Sequence, residues 1–189
     1  MKEILFKTII FTGLFIAACS ENKETDSKKM AKEENEKKFD KTAIEDDTKF
    51  AVAAADGGML EVQLGQMALS NASSPAVKQL GQMMVDDHSK ANAELKALAQ
   101  TKNISLPATL SEGKQKKVKD LAAKKGTDFD EAYTALMVDD HKEVIDDFKK
   151  EADKGNDSDV KAWAANKIPT LQHHLQMSES AKDAVKNKK

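Results

Sequence analysis

Four side chains in this sequence have the types and spacing to hold a transition-metal ion: Glu61, His88, His141 and His174. The chain has only four histidines, and two of them close the same pentapeptide, Met-Val-Asp-Asp-His, at residues 84–88 and 137–141. Neutral imidazole suits Zn(II), Fe(II), Mn(II) and Cu(II), and a carboxylate beside three imidazoles offsets the ion's charge. Asp87 and Asp140 each precede a histidine by one residue, about 100° around a helix, so they are poorly placed to share its axis point. They read as acceptors that orient imidazoles from outside the site, or as solvated acids. Asp86 and Asp139 lie further round and should face solvent. Met84 and Met137 fall four residues before the two histidines, and Met177 falls four after His173. Soft thioether sulfur would favour Cu(I), although methionine at helical spacing is ordinarily core filler. His173 is off the main stripe and should be partly exposed.

These residues need elements that aim them at one point. Few glycines, three prolines, few aromatics and much Ala, Leu, Lys, Glu and Met argue for an all-α domain. The apolar spacing predicts four long helices, over residues 44–70, 75–101, 128–154 and from 158 to the C-terminal region. Pro169 should kink or restart the fourth. The connection between the second and third carries a short amphipathic extra helix at 111–124 and is long enough to cross a bundle. Amphipathic helices of similar length are best buried as a four-helix bundle. Inward stripes run through Phe50, Ala53, Ala54, Gly57, Leu60, Leu64, Met67 and Ala68 on the first helix, and Leu80, Met84, Ala91 and Leu95 on the second. Met137, Val144 and Phe148 mark the third, and Ala164, Lys167, Leu171, Ser178 and Ala181 the fourth. The gaps in these stripes put Glu61, His88, His141 and His174 in the core, each near the middle of its helix. The repeated pentapeptide then supplies two ligands related by approximate symmetry. A metal-free version of the same cluster is a buried polar network in which Glu61 pairs with an imidazolium, within a structural or interaction module.

The N-terminal residues read as an address. Lys2 and Lys7 precede an apolar run at 9–18 that is too short to span a bilayer, and Ile16-Ala17-Ala18-Cys19 ends it with small residues before the only cysteine. That pattern resembles the lipobox of a bacterial lipoprotein. It implies a signal peptide at 1–18, lipidation of Cys19, and a membrane-anchored protein of the outer membrane facing the periplasm. Residues 19–42 are so polar that they read as a charged, disordered tether, which leaves 43–189 for one domain. A single cysteine excludes an internal disulfide. The net charge is −2, lysine and acid are interspersed, and arginine is absent, so nothing resembles a nucleic-acid footprint. No Ser-His-Asp spacing, Gly-rich phosphate loop or free reactive thiol is present, and the reading leans away from an enzyme.

The chain resembles the family of domains of unknown function numbered 4142, found in bacterial envelope proteins. The resemblance covers residues 50–181. It rests on Glu61 with Leu64 and Ala68, on both copies of the pentapeptide, on Leu106-Pro107, on Phe129-Asp130 with Tyr133, and on Ile168-Pro169-Thr170-Leu171 leading to His174-Leu175. It implies a ferritin-like four-helix fold and brings no established activity. Ferritin-like di-iron proteins place a glutamate three residues before a histidine, whereas Val85, Val138 and Leu171 stand there in this chain. A histidine-rich mononuclear site, or none, fits better than a carboxylate-rich di-iron centre.

Overall fold

The computed structural model describes residues 26–187, all of whose regular structure is helical: α1 Ser27–Phe39, α2 Glu45–Asn71, α3 Pro75–Thr101, α4 Glu112–Ala122, α5 Gly126–Lys154 and α6 Ser158–Lys186. The signal segment and Cys19 lie outside the described residues. The four long helices follow the apolar spacing closely. Pro75 opens α3, where its missing N–H is of no consequence. Gly126, at φ +57°, begins α5 two residues before the expected start, because glycine takes left-handed backbone without a Cβ clash. Pro169 does not restart α6, which runs through it as one helix with the proline on the exposed face.

Helix direction follows from buried aspartates that cap the starts of neighbouring helices. Asp130 near the start of α5 accepts from Ser73 N (3.1 Å), Ser73 Oγ (2.5 Å) and Ser74 N (2.8 Å), so α3 and α5 begin at the same end. Asp47 near the start of α2 accepts from Asn156 N and Asp157 N, both at 2.8 Å, so α2 and α6 begin together at the other end. An anionic acceptor at a helix start satisfies free N–H groups and complements the helix dipole. The result is an up-down-down-up bundle in which α2 packs chiefly on α3 and α5 on α6. The 102–125 connection, with α4 in it, returns the chain along the bundle's length. Gly65 and Gly81 let α2 and α3 approach closely: a Cβ on Gly65 would lie 2.6 Å from the Gly81 carbonyl oxygen.

Residues 27–39 were expected to belong to a disordered tether, and they form α1 instead. Its apolar contribution is small, with Ala31 buried and Phe39 packed against the core, and polar contacts to the connection and to α2 add to it. Asn35, 2 % exposed, donates to Ser105 O (2.8 Å) and accepts from Ser105 N (2.7 Å). Asp26 accepts from Glu112 N, Ser27 Oγ accepts from Ala108 N, and Lys28 pairs with buried Asp56 at 3.1 Å. Counting apolar side chains does not register such contacts.

The core has two apolar ends with a polar layer between. Leu60, Leu64, Leu80, Met84, Phe129, Tyr133 and Met137 fill one end. Ala51, Ala55, Leu95 and Val160, with Ile145, Phe148, Ala164 and Leu171, fill the other. Ala53, expected inward, is exposed.

Glu151 is a further carboxyl in the fold's interior that bears on stability. Burial, then the charge of Asp47 and a hydrogen bond with it, push its carboxyl up to about 7. The fold holds this proton more tightly than the unfolded chain, so its stabilisation is complete below the ordinary value of 4.5 and is lost as pH rises through about 7. Glu151→Gln keeps a donor towards Asp47 at every pH. Its urea midpoint should therefore fall less than that of the parent between about pH 5 and about pH 8. Parallel curves for the two proteins would contradict the assignment.

Candidate metal centre

The polar layer is built around one position per long helix, each set among buried residues of the inward stripe. On α3 the sequence Leu80, Met84, His88, Leu95 leaves His88 facing the axis, and on α5 Tyr133, Met137, His141, Ile145 does the same for His141. On α6 it is His174, between Leu171 and Ser178. The three imidazoles are buried, and each offers a nitrogen such that the three lie within 4.8 Å of one another. Ring centroids are 5.8 Å apart for His88 and His141, 5.1 Å for His88 and His174, and 5.3 Å for His141 and His174.

Hydrogen bonding sets the tautomers. His141 Nδ1 donates to the Met137 carbonyl oxygen at 2.9 Å, and His174 Nε2 donates to Asp87 at 2.8 Å. Both protons are then committed outward, and the remaining nitrogens, His141 Nε2 and His174 Nδ1, face each other at 3.3 Å. Two lone pairs at that distance repel unless a proton or a cation lies between them. Burial, then the neighbouring His174, push the His141 imidazole down to about 4. His174 is also lowered by burial, against the opposing pull of Asp87. His88 is driven well below the usual histidine range by burial and by its two histidine neighbours, and its Nε2 has no partner. A proton is thus disfavoured near neutrality. Two nitrogens about 2.0–2.1 Å from a tetrahedral ion sit about 3.3–3.4 Å apart, the spacing found here. Outward protons fixed on a carbonyl and a carboxylate are also the usual support for metal-binding imidazoles.

Glu61, expected among the ligands, lines the same cavity as the three histidines but is not part of the group of nitrogens within 4.8 Å of one another. Its carboxyl is 4 % exposed and pairs with Asp140. Burial, then the Asp140 charge, raise Glu61 well above the ordinary carboxyl range. Asp140 is pushed up by burial but held below its usual value by Lys114, Lys117 and the Glu61 hydrogen bond. Lys117 Nζ donates to Asp140 at 2.8 Å, and Lys114 lies at 3.6 Å. A proton on Glu61, donated to Asp140, satisfies two buried oxygens that otherwise have no partner, Glu61 Oε2 and Asp140 Oδ2. Asp140 therefore orients no imidazole, whereas Asp87 does. The repeat has one geometric consequence in both copies. α3 and α5 run in the same direction, and in each the second aspartate reaches a side chain on a neighbouring helix of the bundle: Asp87 reaches His174 on α6 and Asp140 reaches Glu61 on α2. Asp86, Asp139 and His173 are exposed. Met84 and Met137 belong to the adjacent apolar end, with Met177 packed against it.

The site opens into a cavity of about 290 Å³ between the long helices. Sequence reasoning did not anticipate the lysines 114 and 117, which come from α4 and become neighbours of Asp140 only through the long connection. It also missed the aromatic wall of Phe50, Phe148 and Trp163, whose members are scattered over three helices.

Among solved structures, the bundle is similar to CopM in the Cu(II)-bound form, with a TM-score of 0.62 and 16% sequence identity over 73% of this chain and 96% of that one. At that identity the likeness speaks for the helical fold alone. No curated protein matches the sequence. The model of the family described as Domain of unknown function (DUF4142) matches residues 22–181, and the chain belongs to that family.

Proposed function

We propose that this protein binds one transition-metal ion in its bundle core through His88, His141 and His174, with copper the first candidate and Zn, Fe and Mn the alternatives. The observation that carries the reading is the pair of inward nitrogens 3.3 Å apart, with the buried His88 imidazole, whose Nε2 has no hydrogen-bond partner, offering a third nitrogen within 4.8 Å. Copper is favoured because imidazole suits Cu(II) and because the similar bundle, CopM, is described in a Cu(II)-bound form. Glu61 and Asp140 serve as a buried hydrogen-bonded acid pair outside the donor set. The lipobox-like segment supports the further reading that the protein is a lipoprotein, anchored through Cys19 in the outer membrane and facing the periplasm.

Electron paramagnetic resonance of the Cu(II)-loaded protein tests the donor set. Nitrogen hyperfine structure from three imidazoles, reduced in His174→Ala, is the expected result. A spectrum from oxygen donors, or one that His174→Ala leaves unchanged, would sink the assignment. Asp87 is the second point of attack, because it holds the His174 proton outward. Asp87→Ala should weaken metal binding about 10- to 100-fold in a chelator competition, while Asp86→Ala, on the exposed face, should leave it unchanged.

A further inference from the structure

The cavity beside the histidines is larger than a single ion requires. At about 30 Å³ per water, its 290 Å³ has room for roughly ten small groups. A bundle core ordinarily closes such space, and here the sequence keeps it open. A Cβ built on Gly57 would meet nothing within 4 Å, and Ala54 and Ala91 also line the volume. Gly57 sits in the middle of α2, where glycine is about 1 kcal/mol less favourable than alanine. His88, 8 % exposed, lines the cavity with its Nε2 unpartnered.

The two ends of the space differ in chemistry. Phe148 lies seven residues beyond His141 on α5, about 10 Å along the axis. It packs with Phe50 (4.9 Å between centroids) and with Trp163 (5.5 Å) into an apolar wall. At the histidine end, three neutral imidazoles fill three positions of a four-coordinate ion and leave its charge to be met by a further donor. The side chains around the cavity are of both signs. Lys28, Lys114 and Lys167 are paired with Asp56, Asp140 and Glu94, and Lys90 acts on the charge of Glu94. Asp87, Glu143 and Asp147 line the space as well, so the positive charge a further donor would meet is that of the ion.

From this arrangement we infer that the cavity binds a small organic monocarboxylate, its carboxylate towards the histidines and its apolar body against Phe50, Phe148 and Trp163. The head-group contact rests on the metal reading; the wall and the volume do not.

Trp163 is the only tryptophan, so its emission reports on this cavity alone. The probe is octanoate, added to zinc-loaded and zinc-free protein, with octanol as the neutral control and Gly57→Phe as the variant that fills the space. Zinc stoichiometry and circular dichroism show whether that variant keeps its site and fold. The expected result is a saturable change in Trp163 emission with octanoate on the zinc-loaded protein. Binding should be at least about tenfold weaker without zinc, with octanol, and in Gly57→Phe. No response from the zinc-loaded protein, or equal binding by Gly57→Phe, would overturn the inference. If the protein takes up no zinc, the metal reading fails. In that case a Gly57-sensitive octanoate response still upholds the cavity site, and the absence of one overturns it as well.

Discussion

His141→Ala is expected to lower the affinity for a divalent transition metal by about a hundredfold or more, and to abolish the rise in melting temperature that the metal gives the parent. His141 is held in place from both sides of its ring. Its Nδ1 is committed to the Met137 carbonyl, and its Nε2 faces His174 Nδ1 at 3.3 Å. Alanine removes one of the three donors and leaves His174 Nδ1 without the nitrogen that faces it. An ion that binds the folded state alone stabilises it by about 4 kcal/mol at a thousand times its dissociation constant, and that increment should vanish in the variant. His173→Ala is the matched control, because His173 is exposed on the same helix as His174. A His141→Ala protein that binds and melts as the parent does would remove His141 from the site.

The second large effect concerns the fold. Asp130→Ala is expected to destabilise the protein by about 3 kcal/mol or more in urea unfolding. Asp130 is 2 % exposed and accepts three hydrogen bonds from Ser73 and Ser74. Bonds to a charged group contribute about 1.5–3 kcal/mol each, and alanine would leave the Ser74 N–H buried without a partner. Asp130→Asn should retain part of that stability, since an amide oxygen still accepts. A surface change such as Asp139→Ala should stay within about 0.5 kcal/mol of the parent. A negligible loss in Asp130→Ala would mean that α3 starts where it does for reasons other than this cap.

Helices and inward histidines were legible in the sequence because both follow from one rule, the 3.6-residue period of the apolar stripe. His88, His141 and His174 each interrupt such a stripe, so their convergence needed only roughly equal depths. Glu61 interrupts its stripe in the same way, yet its neighbour is Asp140, which the period alone could not show. The carboxyl that fills a core position is satisfied by another carboxyl and a shared proton, an outcome decided by desolvation and by lysines brought in from α4. Helix direction was not legible either, since it depends on Asp47 and Asp130 reaching across to helices far away in sequence. The same holds for α1. Its Asn35 bonds the backbone of Ser105, seventy residues away, in a segment whose composition alone reads as disorder.

The most direct test of the central claim is elemental analysis of the protein purified without chelator or affinity metal, beside a His88→Ala/His141→Ala variant. The account predicts close to one transition-metal ion per chain in the parent and none in the variant. No metal in either, even after exposure to Zn, Fe, Mn and Cu, would contradict it and leave the repeated pentapeptide as a packing element of the bundle.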